Sequence, residues 1–376
     1  MAMKIYFDNA ATTPIDPLVL AEMMPYLTDN FGNPSSIHEY GRKAKAAVEK
    51  SRKIVAKYLN ASAAEVFFTS CGTESNNMVI KQAVVNLGVK RIVSSPTEHH
   101  CVLHTVKTEG SKGVVVDYVQ VNEKGDIDVA HLERLLAAQP ETKTLVSLMH
   151  ANNEIGTLLN IQHVGEICAK YGALFHSDSV QTVAHYPMDV QATKVHFLSG
   201  SAHKFHGPKG IGFVYINGHN AIKPLIEGGA QERNMRAGTE NVVGIVGLGK
   251  ALELWMTEGE QYRVHIESIR DYMATQLQAE IPGIVFNGYT DNRSLYHVLS
   301  VSVPANQKTE LLLFNLDISG ICASGASACA SGSMQASHVL EAIKADENRR
   351  TVRFSFSKNN TKEEVDIAVA KLKEMV

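Results

Sequence analysis

The chain has 376 residues, beyond the size at which single hydrophobic cores usually stop growing, so one large and one small domain are expected. Hydrophobic residues make up 44%, charged residues 20%, and the formal net charge is -3 with no block of like charges; this excludes long disorder and any electrostatic footprint for nucleic acid or an anionic membrane. No apolar run approaches a membrane span and Met1 to Asp8 hold no signal-peptide core, so a cytoplasmic protein with small-molecule chemistry is expected.

Taken in chain order, a strand over 66–70 runs into Ser70-Cys71-Gly72-Thr73-Glu74, where a glycine and a hydroxyl open a helix over 74–87. Free backbone N–H groups at such a start, with the helix dipole, suit a phosphate. Alone, Gly-Thr is only an N-cap. A strand over 91–95 leads to Thr97-Glu98-His99-His100, whose imidazole can stack on an aromatic ligand and move protons. Strands over 114–119 and 145–149 enclose a helix over 128–138, and a helix over 161–171 precedes a strand over 173–177. That strand reaches His176-Ser177-Asp178, with Gln181 three residues on.

A strand over 195–199 is followed by Ser199-Gly200-Ser201-Ala202-His203-Lys204, and another is expected over 211–215. A lone lysine is normally a solvated charge, but Lys204 lies in a Gly- and Ser-rich turn at a strand end. Beyond Gly238, a long helical region over 242–281 leads to strand-like runs at 284–287, 298–303 and 352–357, which read as a second α+β domain. The Gly/Ala/Ser cluster over 319–333 reads as a mobile loop. The cysteines Cys71, Cys101, Cys168, Cys322 and Cys329 show no metal-ligand spacing and are expected as free thiols, with Cys101 and Cys168 acting as small core residues.

Strands alternating with helices form a parallel sheet, and ligands bind outside its carboxyl ends. The polar residues there fit one cofactor. Pyridoxal phosphate needs a lysine to carry it, an aspartate for its ring nitrogen and a phosphate cradle. Lys204 and Asp178 supply the first two, and Gly72, Thr73, Ser201 and His203 the third.

The runs Tyr6-Phe7-Asp8-Asn9-Ala10-Ala11-Thr12-Thr13-Pro14, Phe31-Gly32-Asn33-Pro34-Ser35-Ser36, Thr97-Glu98-His99, Met149-His150-Ala151-Asn152-Asn153-Glu154-Ile155-Gly156, Ser201-Ala202-His203-Lys204, Arg236-Ala237-Gly238-Thr239 and Ser327-Ala328-Cys329 resemble the cysteine desulfurases. These are homodimeric fold-type-I pyridoxal-phosphate enzymes of the class V aminotransferase group. The resemblance implies an α/β fold: a large domain over 15–260 on a mixed, mostly parallel seven-stranded sheet, and a smaller α+β domain from 1–14 and 261–376 with the Cys329 loop.

By the same resemblance, Lys204 is the Schiff-base lysine, Asp178 the partner of the ring nitrogen and Gln181 the donor to the phenolic oxygen. His99 stacks on the ring. Gly72, Thr73, Ser201 and His203 hold the phosphate, with Thr239 reaching the other subunit's site. Arg353 pairs with the substrate carboxylate, where a planar fork suits it, and Asn33 and Asn153 contact substrate. The implied reaction converts L-cysteine to L-alanine, with Lys204 as base, His99 as proton shuttle and Cys329 taking the sulfur as a persulfide for an acceptor such as an iron-sulfur scaffold protein. A class V aminotransferase or lyase on another amino acid would share every pyridoxal-phosphate residue and differ only in the use of Cys329. Cys71, Ser179 and Val180 depart from the family's usual pattern, and Cys322 lies near Cys329 in sequence.

Overall fold

The computed structural model of the chain describes residues 4–220, 222–325 and 337–376. In chain order the elements are β1 (Ile5–Tyr6), α1 (Pro17–Thr28), α2 (Glu39–Leu59), β2 (Val66–Thr69), α3 (Gly72–Leu87), β3 (Arg91–Ser94), α4 (His100–Ser111), β4 (Val115–Tyr118), α5 (Val129–Ala138) and β5 (Thr144–Ser147). Then come α6 (Ile161–Lys170), β6 (Leu174–Asp178), β7 (Phe197–Ser201), β8 (Gly212–Ile216), the short α7 (Gln231–Asn234) and α8 (Val242–Glu280). The last are β9 (Val285–Asn287), β10 (Val298–Pro304), α9 (Leu312–Ile318), β11 (Ile321–Cys322), α10 (His338–Ala342), β12 (Arg349–Ser355) and α11 (Lys362–Met375).

The strands expected between 66 and 215 are all present and form one seven-stranded sheet in the order β2-β8-β7-β6-β5-β3-β4. β8 runs antiparallel to both neighbours, and the remaining pairs are parallel. Alternate side chains enter two separate apolar clusters: Phe67, Ile92, Leu145, Leu174 and Phe197 face one, and Phe68, Val93, Val146, Phe175 and Leu198 the other. A sheet covered on both faces needs uninterrupted apolar runs, and burying each such side chain contributes about 1.5–3 kcal/mol.

From β3 the chain moves to the edge as β4 and returns on the other side of β3 as β5, so strand order reverses there. That reversal opens a crevice at the carboxyl ends.

The C-terminal part carries an antiparallel sheet in the order β12-β10-β9. Helix α8, 39 residues long, runs unbroken through residue 260 and packs on α1 and α2. At Gly249 a Cβ would lie 2.7 Å from Ser51 Oγ, so glycine permits that close approach. β1 pairs in parallel with β11, and Asp8 bridges to Ser355, which stitches the N-terminal segment to the second sheet. Among the described residues no helix is long and apolar enough to cross a membrane.

Candidate active site

Cys71, at the start of α3, is extended and makes no side-chain cap, so the first N–H groups of a 16-residue helix are left for an anion. The Glu74 side chain is turned away from that role. Its Oε2 accepts from Ser70 N at 2.9 Å, and Arg236 Nε donates to its Oε1 at 3.0 Å. Burial pushes the Glu74 carboxyl up, but Arg236 and Ser70 outweigh it and hold it below its ordinary value. Facing the helix start, Ser201 Oγ is buried with no hydrogen-bond partner among the described residues. His203 Nδ1 lies 3.2 Å from Thr12 Oγ1; burial, with the charges of Lys204 and Lys209, pushes this imidazole down to about 4. It is therefore neutral near pH 7.

Lys204 Nζ donates to the carbonyls of Ala10 and Ala11, at 2.6 and 2.9 Å. Asp178, at the end of β6, accepts from Val180 N at 3.1 Å and from Asn76 Nδ2 at 2.6 Å. Gln181 Nε2 donates to Ala10 O at 3.0 Å. His99 caps α4 through Nδ1, which accepts from Cys101 N at 3.2 Å and lies 3.0 Å from Cys101 Sγ. Burial lowers the His99 pKa; Lys204, His338 and His104 act in the same direction and Asp178 opposes them.

The opposite wall comes from β12. Arg353 is 1% exposed; Nη1 donates to Asn153 O at 2.7 Å and Nη2 to Asp8 Oδ1 at 2.8 Å. Its Nε is buried without a partner among the described residues. Beside it Glu154 accepts a hydrogen bond from Ser337, and burial pushes its carboxyl up to about 7 against the opposing effects of Ser337 and Arg353.

Gly72, Thr73, His99, Asn153, Asp178, Gln181, Ser201, His203, Lys204 and Arg353 thus line one cleft of about 370 Å³. Asn33 and Thr239 are exposed and do not line it within one chain. Cys329 lies outside the described residues. Cys168 is buried in the core as expected, but Cys101 is only half-buried and borders the cleft, because α4 turns its start toward Asn76 and His99. Asn76 is a further cleft group outside every quoted motif, while Glu154 and the Ala10 and Ala11 carbonyls lie inside quoted motifs that assigned them no role. For Asn76 the signal was its spacing: it lies four residues after Gly72, on the same face of α3.

The donor set fits pyridoxal phosphate. A helix start and a buried hydroxyl with no partner among the described residues suit its phosphate, a carboxylate its ring nitrogen, an amine its aldehyde and an imidazole its flat face.

The aminotransferase class-V family model matches residues 5–367. A relative named cysteine desulfurase IscS from Dictyoglomus turgidum is 41% identical over 380 residues, covering 100% of this chain and 95% of the relative. Among solved structures, a NifS-like protein superposes with a TM-score of 0.91 at 39% identity, covering 99% of each chain. A structure described as SspA in complex with cysteine does so with a TM-score of 0.80 at 32% identity, covering 96% of this chain and 100% of that one.

Proposed function

Since the chain belongs to the aminotransferase class-V family, and within it to the cysteine desulfurases, we propose that its cleft takes L-cysteine and passes the sulfur to Cys329. The enzyme depends on pyridoxal phosphate, which when bound supplies the electron sink for the charge left by loss of the Cα proton. Lys204 would carry it, Asp178 would pair with the ring nitrogen, Gln181 with the phenolic oxygen, and Gly72, Thr73, Ser201 and His203 would hold the phosphate. Arg353 binds the substrate carboxylate, and its Nε, buried without a partner among the described residues, supports that role. Lys204 Nζ removes the Cα proton. His99, neutral because buried, moves protons to and from the substrate.

In the sulfur step the substrate C–S bond breaks and an S–S bond forms to the Cys329 thiolate, while the three-carbon fragment takes up protons and leaves as L-alanine. The balance is one cysteine and one thiol giving one alanine and one persulfide. Smaller pieces belong to the same reading. The chain forms a homodimer in which Thr239 completes the partner's phosphate site; Phe31 and Ile37, 71% and 91% exposed, support a covered face. Asn33 meets substrate in that assembly. Residues 15–260 form the large domain and 1–14 with 261–376 the small one, with α8 shared between them. The persulfide goes to an acceptor protein, of which an iron-sulfur scaffold is the favoured class, and the enzyme works in the cytoplasm.

The observation that carries the reading is the meeting of Lys204, Asp178, His99 and the open Ser201 hydroxyl in one cleft with Arg353. With cysteine and a thiol reductant, alanine and sulfide should form in equal amounts, and Cys329→Ser should abolish this while leaving the cofactor's visible band intact. Full turnover by Cys329→Ser would overturn the persulfide step.

A further inference from the structure

Asn76 is fully buried on α3, one turn beyond Gly72. Its neighbours Val79, Ile80 and Ala83 fill the same helix's packing face, so an apolar residue here would be the ordinary choice. A buried amide is tolerated only when its donors and acceptor are satisfied. All three functions are. Nδ2 donates to Asp178 Oδ2 at 2.6 Å and lies 3.2 Å from Cys101 Sγ, while Oδ1 is 3.1 Å from His176 Nε2.

These partners assign the amide's orientation, since a carboxylate oxygen accepts and must face the NH₂ group. His176 then carries its proton on Nε2, and its Nδ1 accepts from the Ser147 hydroxyl at 2.9 Å. Complete burial pushes His176 down to about 3, so the imidazole is neutral and keeps this tautomer at neutral pH. Donation therefore runs one way, from Ser147 to His176 to Asn76 to Asp178. On the other side, Cys101 faces His99: both its backbone N–H and its sulfur approach Nδ1, which leaves the neutral imidazole's proton on Nε2. Burial pushes the Cys101 thiol up to about 12, so it remains an uncharged S–H.

Given the roles of Asp178 and His99 proposed above, on which this rests, we propose that Asn76 is a positioning residue whose single amide holds Asp178 directly and His99 through Cys101. The two groups that grip the cofactor ring are thereby set by one side chain, with His176 and Ser147 holding that side chain from behind.

The test compares wild type, Asn76→Ala, Cys101→Ala and Asp178→Ala. For each, the pyridoxal-phosphate dissociation constant of the apo-protein, the pH midpoint of the visible cofactor band and the apo-protein Tm are measured. Asn76→Ala should weaken cofactor binding about tenfold or more, the worth of one charge-assisted hydrogen bond, and displace the band midpoint. Cys101→Ala should keep near-native affinity and displace the midpoint less. Should Asn76→Ala fail to accumulate, Asn76→Ser, whose hydroxyl is too short to reach Asp178, should give the same result. A lower Tm with native affinity and midpoint would make Asn76 merely structural and overturn the proposal. If that happens while Asp178→Ala loses both, the site reading survives alone; if Asp178→Ala also keeps both, the site reading falls with it.

Discussion

At Gly72 the backbone of α3 passes so close to Val180 that a Cβ would lie 2.4 Å from Val180 Cγ2. The Val180 N–H bond to Asp178 pins its backbone, so relief of the clash requires the β-branched side chain to leave its rotamer. Gly72→Ala should therefore weaken pyridoxal-phosphate binding by about tenfold, in line with an overpacking cost of about 1–3 kcal/mol, and Val180→Ala should restore it. Titration of the apo-variants measures this; a double variant as weak as the single one would remove the clash as the cause. Glu154 offers a second residue-scale prediction. Its carboxyl is raised from 4.5 to about 7, so between those values the folded state binds more protons than the unfolded one, and stability falls as pH rises. Glu154→Gln should remove that fall, worth up to about 3 kcal/mol, so its Tm relative to wild type should be higher at pH 8 than at pH 5. Equal differences at both pH values would contradict it. Lys204, Asp178 and His99 were legible because each is polar and stands at or just after a strand end. Asn76, Cys101 and Glu154 were not: the four-residue spacing of Asn76 from Gly72 places it on the cleft face of α3, but the partners that give all three their meaning lie on α4, β6 and α10 and are set only by tertiary contacts.

At the scale of elements, the seven sheet strands were legible because sheets buried on both faces require continuous apolar runs. Helix α4 was hidden, since it begins inside the Thr97-Glu98-His99-His100 motif and buries only Val102, Thr105, Val106 and Glu109. The pairing of β1 with β11 joins opposite ends of the chain and leaves no local trace. A further hidden element is the turn at α7, where Glu232, Arg233 and Asn234 all have positive φ. Such backbone is strained in non-glycine residues and needs holding. Glu232 does so: its two oxygens accept from Arg52 Nη1 and Nη2 at 2.7 and 2.8 Å, and Phe68 N donates at 2.8 Å. Glu232→Ala leaves the buried Arg52 with only the more exposed Glu49, at 3.1 Å, and the Val66 carbonyl, at 2.8 Å, and should cost about 3 kcal/mol, the low end of the range for breaking a buried pair, in a denaturation experiment. A loss below 1 kcal/mol, the range of an exposed pair, would show that the turn does not depend on this bridge.

For the whole molecule, buried neutral histidines dominate the acid response. Burial pushes His150, His185, His203 and His206 down to about 4 and His176 to about 3, from an ordinary 6.5. Below 6.5 the unfolded chain binds protons that the folded chain does not, so stability is full above that value and is lost as pH falls toward 4. The slope is opposite to that of Glu154 and larger, because several groups share it. Tm should drop steeply between pH 6.5 and 4, and a flat profile there would contradict the neutral, buried state of these rings. In the function proposed above, the cleft, built from the seven-stranded sheet, β12 and the N-terminal segment, passes sulfur to Cys329. The most direct test is mass spectrometry of the holoenzyme after brief treatment with L-cysteine in the absence of reductant. The account predicts the added mass of one sulfur atom, removed by a thiol reductant and mapped to the peptide containing Cys329. Sulfur mapped instead to Cys322 or Cys101, or alanine formed with no protein-bound sulfur at all, would contradict it.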